Sequence, residues 1–365
     1  VVVVGFDGSG VSVDGHYPMF QFWRDVSRSA DARFTFFLSG PYLLTHQNIG
    51  LYNAPQLGPA KQSMPMEVSG VLSLPGQSQQ DAVRYEMEQL RAAHAEGNEI
   101  GTHFNGHICG KQRGGDATFT AADWEQEITE FNKMLDRANQ NNDLQPPVDP
   151  GFSSADIRGS RTPCLDGDFR ALYPVLARHG YTYDTSPTPE TTWPHQGSPD
   201  TGPSNLWVFP LAFINVHGTH SSALSMDYNF CVRNGSCNGI GGASGDPLDQ
   251  LHSQQNLDSY RAYFESHYTG DRAPVFLGEH FEMWQHGAYT DALAAFLTET
   301  CTKPEVKCVT FAELATWLSA TPAAQRAEWE RTQFPHYVDP SPPRYGRPVP
   351  GAPEPHAVDS VPPVR

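Results

Sequence analysis

The run His103-Phe104-Asn105-Gly106-His107 places two imidazoles four residues apart, a spacing that can bring both to one side of a helical turn and within reach of one metal ion. Asp7 closes the apolar run Val1–Phe6. A carboxylate there can be a general base or a metal ligand, or it can simply open a turn with Gly8, since Asp-Gly is a common turn pair. In Arg161-Thr162-Pro163-Cys164 the proline restricts Thr162 to an extended shape. The arginine ahead of it can grip a carboxylate through paired hydrogen bonds, or form a surface ion pair. His280, in Gly278-Glu279-His280-Phe281, has the side chain best suited to give and take protons near neutrality, or is an ordinary histidine at the edge of the core. Two imidazoles, a carboxylate, a cation to hold it and a proton donor are the parts of metal-assisted hydrolysis.

Such parts need a frame that brings distant segments together. Val1–Phe6, Arg33–Leu38 and Pro274–Gly278 read as buried parallel strands, and Glu99–Thr102 as a short strand leading into His103. Helical spacing predicts a helix through Val83, Met87 and Leu90 that stops at Gly97, and another through Trp124, Ile128, Phe131 and Leu135 behind the Thr120-x-x-Asp123 start signal. Further helices are expected at Asp168–His179, Leu257–His267, Tyr289–Thr298 and Phe311–Leu318, and short strands at Tyr181–Asp184, Leu206–Leu211 and Val306–Thr310. Alternation of this kind implies an α/β fold with a parallel sheet or barrel, in which reactive side chains gather at the carboxyl ends of strands. Gln140–Ser160 and Thr185–Ser204 are polar and rich in turn formers, so they read as long loops, and Pro335–Arg365 is too rich in proline for a helix or central strand.

The bulk properties narrow the function. A chain of 365 residues with 38% hydrophobic residues, 32 Gly and 31 Pro is globular and loop-rich, best accommodated as one large domain with extras. A net charge of −17, spread along the chain, disfavours a nucleic-acid partner. No window approaches the roughly 20 apolar residues of a membrane span. Six cysteines form an even set: Cys231 with Cys237 and Cys301 with Cys308 lie close in sequence, leaving Cys109 and Cys164 for each other, which points to an oxidising compartment. Zinc binding by the cysteines is the rival reading, weakened by the lack of any C-x₂-C pair. The chain opens in the middle of an apparent strand, so a secretion signal is expected to have been removed ahead of it.

The order of the motifs resembles the polysaccharide deacetylases of carbohydrate esterase family four. Asp7 after the first strand, the histidine pair after the third, Arg161-Thr162-Pro163 after the next long helix and His280 at a late strand end all match that family's order. Arg33–Gly40, Glu99–His103 and Gly180–Asp184 look like its second strand, its histidine-motif strand and a later helix-to-strand turn. The resemblance covers residues 1–320, with 321–365 a Pro-rich extension. It implies a distorted (β/α)7 barrel with long loops and a divalent metal, most often zinc, held by His103, His107 and Asp7. It also implies Asp7 as base, Arg161 as its partner, the Cys164 N–H as an oxyanion donor, His280 as acid, and an acetylated extracellular or cell-wall polysaccharide as substrate. Trp284, four residues after His280, is the aromatic expected to face a sugar in the cleft, whereas Trp193, Trp207 and Tyr289 are expected to be mostly core; His286 is the alternative proton donor.

The family pattern has two adjacent aspartates where this chain has Asp7-Gly8, and Cys164 stands where tyrosine is common. Three outcomes are open: Asp7 becomes the third ligand and another group is the base, Asp14 or Glu279 completes the shell, or the metal is weak or absent. A Cys109–Cys164 bridge would staple the two active-site loops, worth about 2–4 kcal/mol through the unfolded chain. Two other functions compete: a carbohydrate-binding barrel without catalysis, and a glycoside hydrolase using Asp7 with Glu279 or Glu282.

Overall fold

The computed structural model describes residues 1–10, 19–55, 77–110, 115–188, 193–198, 202–237 and 247–331; Asp14 and the segment 335–365 lie outside them. The frame is one curled sheet of eight strands: β1 (Val2–Asp7), β2 (Thr35–Leu38), β3 (Glu99–Thr102), β4 (Gly159–Ser160), β5 (Tyr183–Asp184), β6 (His195–Ser198), β7 (Gly202–Val208) and β10 (Val275–His280). The order is β10-β1-β2-β3-β4-β5-β7-β6. Seven strands, β10 to β7, are mutually parallel, and β6 joins β7 antiparallel. This is the distorted α/β barrel expected, seven parallel strands with an extra one at the edge.

The helices of seven residues or more cover the outer face, save one that closes the amino end of the barrel. They are α1 (Met19–Ala30), α2 (Gln79–Ala95), α3 (Ala121–Asp136), α4 (Phe169–Arg178), α5 (Asp227–Asn234), α6 (Pro247–Tyr268), α7 (Trp284–Thr300), α8 (Phe311–Ala320) and α9 (Ala323–Trp329). Local chemistry fixes several starts. Ser78, Thr120 and Thr310 each accept the N–H three residues on, while Asp81, Asp123 and Glu313 answer with their own side chains, satisfying N-terminal donors that the helix leaves unpaired. Between sheet and helices, Phe6 packs on Trp23 with ring centroids 4.6 Å apart and on Phe36 and Phe281 at 5.3 and 5.7 Å.

The inner face carries a second core. Val3, Phe37, Tyr183, Phe209 and Phe276 turn inward around Phe311, the first residue of α8. That helix is tied to strand starts at the amino end of the barrel: Phe311 N–H donates to Thr35 Oγ1 at 3.1 Å and Ala312 N–H to Glu99 Oε2 at 3.0 Å. With the amino end plugged, the inner space opens toward the carboxyl ends of the strands, the end that loops can shape.

Several sequence expectations shift. Helix α6 begins ten residues earlier than Leu257, because its buried face includes His252, Asn256 and Ser259, which break the apolar period. Of Val306–Thr310, only Cys308 joins the sheet region, through isolated bridges to Val2 and Ala32. The expected loop Thr185–Ser204 contains β6 and the start of β7. A small hairpin, β8 (Phe213–Asn215) with β9 (Ser222–Leu224), and α1 and α5 were not foreseen. All three cysteine pairs form as expected: Cys109–Cys164, Cys231–Cys237 and Cys301–Cys308.

Candidate active site

Parallel register brings the singled-out residues to one end of the sheet. Asp7 is the last residue of β1 and lies opposite His280, the last of β10. His103 follows β3, its N–H donating to Leu38 O at 2.8 Å, and Arg161 follows β4, its N–H donating to Thr102 O at 3.0 Å. Four segments far apart in the chain therefore present their side chains at one level, because parallel pairing aligns strand ends.

Arg161 forms the floor. It is fully buried, its guanidinium carbon 4.8 Å from the centre of the Phe37 ring and 5.7 Å from that of Phe311. Nη1 donates to Asp7 Oδ1 at 2.8 Å and to Gly5 O at 3.3 Å, and Nε donates to Thr185 Oγ1 at 2.7 Å. Gly5 makes this approach possible: a Cβ there would lie 2.7 Å from Phe37 and 3.1 Å from Nη1. Removing one partner of such a buried pair typically costs about 3–5 kcal/mol, because the other charge is left without compensation.

The His103 ring, 3% exposed, donates from Nδ1 to the Arg161 carbonyl at 2.9 Å. A carbonyl can only accept, so the proton sits on Nδ1 and the Nε2 lone pair is available to a cation. The His107 ring lies 5.7 Å away, centroid to centroid, with Nδ1 3.3 Å from Cys109 Sγ and 3.7 Å from Cys164 Sγ. Burial lowers the pKa of both rings. His107 falls to about 3, with His103 and His280 adding repulsion; for His103 the neighbouring Asp7 opposes the shift. Neutral imidazoles are the form that binds a metal.

His280 has the opposite environment. Its Nδ1 lies 2.8 Å from Asp227 Oδ1, and its backbone N–H donates to Asp227 Oδ2 at 2.9 Å. Burial pulls the imidazolium down, but the Asp227 charge and hydrogen bond, reinforced by Asp7 and Glu282, carry its pKa up to about 9. Asp227, the first residue of α5, escaped the sequence reading, for nothing in Ser225-Met226-Asp227 marks it apart from a common helix start. Trp284 lies beside His280, rings 5.2 Å apart, and Tyr228 stands against Trp284 at 5.6 Å. His286 instead faces Asp249, its Nδ1 3.1 Å from both carboxylate oxygens.

Two further features bear on the chemistry. The turn Pro163–Leu165 uses the N–H groups of Leu165 and Asp166, to Thr162 O and Pro163 O, and not that of Cys164, whose φ is 54°. Glu279 aligns with Phe6 rather than Asp7, and strand alternation turns it to the face opposite His280. It is fully buried, neither carboxyl oxygen has a hydrogen-bond partner among the described residues, and burial followed by the charge of Asp227 raises its pKa well above the carboxylate range. On the face opposite Asp7 and His280, Glu279 does not supply the second carboxylate of a glycosidase.

The donor chemistry suits a divalent cation in part. His103 and His107 are neutral, His103 has a fixed tautomer, and Asp7 is the carboxylate beside them. Gly8 adds no side chain and has φ +58°, the left-handed region that glycine enters freely. Among the described residues, the one group that brings three metal-capable donor atoms within 4.8 Å of one another is His107, Cys109 and Cys164, whose sulfurs are joined in a disulfide.

No protein-family model and no curated protein sequence matches the chain. Solved structures do. One from Mycobacterium smegmatis, assigned as a polysaccharide deacetylase, is 14% identical over 93% of both chains with a TM-score of 0.52. One from Pseudomonas aeruginosa with the same assignment is 14% identical over 88% of this chain and 91% of that one, at 0.48. A family-four carbohydrate esterase pseudoenzyme from Bacillus anthracis is 9% identical over 86% and 65%, at 0.41. The first of these spans nearly the full length of both chains, and with the seven parallel strands described above it establishes that this chain has the polysaccharide deacetylase fold.

Proposed function

We propose that the protein is a metal-assisted hydrolase that removes N- or O-linked acetyl groups from an extracellular or cell-wall polysaccharide. One observation carries the reading: a carboxylate held by Arg161 and a histidine charged by Asp227 end paired strands near two neutral histidines. Environments that drive titratable groups apart are how one site supplies both base and acid at one pH.

His103 and His107 would hold the cation, zinc by the family resemblance, with Asp7 beside them. When bound, such an ion lowers the pKa of water and polarises a carbonyl oxygen. Asp7, oriented by Arg161, takes the proton of the attacking water. The Cys164 N–H, left out of its own turn, donates to the acetyl oxygen as charge develops there. His280, charged below about pH 9, protonates the departing amine or alcohol, and Asp227 steadies its ring. Trp284, supported by Tyr228, offers a flat face to a sugar ring. Secretion is supported by three disulfides, and among the described residues no helix is long and apolar enough to cross a membrane.

Incubation with acetylated xylan and with N-acetylglucosamine oligomers should release acetate without shortening the chains, and chelation should abolish the release. Shortened chains, or acetate release indifferent to chelation and to Asp7→Asn, would sink the proposal. A second reading, a carbohydrate-binding barrel without catalysis, is favoured by Gly8 at the position of a ligand. It predicts no stoichiometric divalent ion after dialysis and binding of the same polymers without acetate.

A further inference from the structure

His107 stands between two sets of partners. One is the His103 ring, 5.7 Å away between centroids; the other is the sulfurs of Cys109 and Cys164, 3.3 and 3.7 Å from its Nδ1. Tetrahedral zinc, with bonds of about 2.3 Å to sulfur and 2.0–2.1 Å to imidazole nitrogen, separates S and N ligand atoms by about 3.6 Å. The imidazole nitrogen therefore already lies near ligand spacing from both sulfurs. While the sulfurs are bonded to each other they are not thiolates and cannot serve as charged ligands.

We propose that reduction of the Cys109–Cys164 bridge creates a second cation site, made of the two thiolates and His107 and selective for zinc-like ions. The electron balance is simple. A water-soluble phosphine attacks the S–S bond and is oxidised to its oxide with oxygen from water, and the two sulfurs leave as thiols carrying the two protons. Binding of the cation then releases both thiol protons. Two thiolates and an imidazole favour zinc or cobalt(II) over magnesium, calcium or manganese. The sulfurs must separate from bonding distance to about 3.8 Å, the S···S edge of a tetrahedral zinc site. Both cysteines lie in loops, Cys109 partly and Cys164 well exposed, so a reductant can reach them.

The two sites are coupled, because each draws on the His107 ring. This coupling rests on the proposed role of His107 in the hydrolytic site, whereas the thiolate site does not. The bridge is then more than a staple: in the oxidised protein it leaves His107 to His103 and Asp7, and in the reduced protein the sulfurs compete for it.

Cobalt(II) tests this without recourse to activity. The full-length protein is loaded with cobalt before and after phosphine reduction, under argon, with near-ultraviolet circular dichroism as a check on tertiary structure. Reduction should add an intense thiolate-to-cobalt charge-transfer absorption that saturates at one cobalt per chain. The band should vanish in the Cys109→Ser, Cys164→Ser double variant and persist in Cys231→Ser, Cys237→Ser. In His107→Ala the cobalt affinity of the reduced protein should fall tenfold or more. Absence of the band, its survival in the first double variant, or loss of tertiary structure on reduction would each overturn the proposal. Acetate release takes no part in these readings, so the thiolate site can fail while the hydrolase stands, or the reverse.

Discussion

His103 and His280 stand at strand ends of the same sheet, the first 3% exposed and the second with its side chain 24% exposed, and they carry opposite protonation states. The partner of His103 is a neutral carbonyl, so burial dominates and the ring is held neutral; the partner of His280 is the Asp227 carboxylate, so the ring is charged up to about pH 9. Residue type and burial alone do not assign a role to a histidine. What faces its second nitrogen does.

The sharpest challenge to this contrast is His280→Ala. Loss of a positioned acid should lower acetate release by about 10²–10⁴-fold while leaving metal content unchanged, read by turnover and metal analysis on the same preparation. Asp227→Asn should then move the histidine of the one region toward the behaviour of the other. The His280 pKa should drop by about 1–3 units, seen by NMR titration of the ring, and the alkaline limb of the rate profile should move down with it. The sign for stability follows. A histidine whose folded pKa is about 9 contributes stability fully below 6.5, and that contribution is lost as pH rises through 9, so the deficit of Asp227→Asn in denaturant melts should be largest below 6.5 and shrink toward pH 9.

On the neutral side, Gly8→Asp should strengthen divalent-ion binding by about tenfold or more in equilibrium dialysis. The nearest atom to a Cβ at Gly8 is Tyr42 Oη at 3.4 Å, and aspartate tolerates the left-handed region better than most residues. An unchanged affinity would place the cation elsewhere. The smallest effect concerns His107→Gln. The folded pKa of His107, about 3, lies below its unfolded value, so between pH 6.5 and 3 the unfolded chain binds the proton more readily and the wild type loses stability as pH falls. The metal-free variant should lose less over that window.

The contrast also explains what the sequence could reveal. Strands β1, β3 and β10 and helix α3 were legible because each is specified locally, by an apolar run or by the Thr120 and Asp123 cap. The positions of Asp7, His103 and His280 at strand ends were legible for the same reason, whereas the two-residue strand β4 ahead of Arg161 lies inside the stretch Gln140–Ser160 that reads as a loop. Asp227 was not, since its role depends on a hydrogen bond spanning 53 residues and on a short hairpin, β8 with β9, too brief to show alternation. The start of α6 was hidden by polar residues on its inner face. Nor could Gly8 be explained from sequence, because only the backbone shows that the turn after β1 passes through a region where most side chains are strained.

Glu279, the buried acid on the face opposite His280, ties folding to the composition of the solution. Burial holds the pKa of its carboxyl group well above that of the open chain, so in the pH interval between the two values unfolding expels a hydrogen ion into the medium. Calorimetric heats will therefore vary with the ionisation enthalpy of the buffer, and Glu279→Gln should remove this residue's share of that variation.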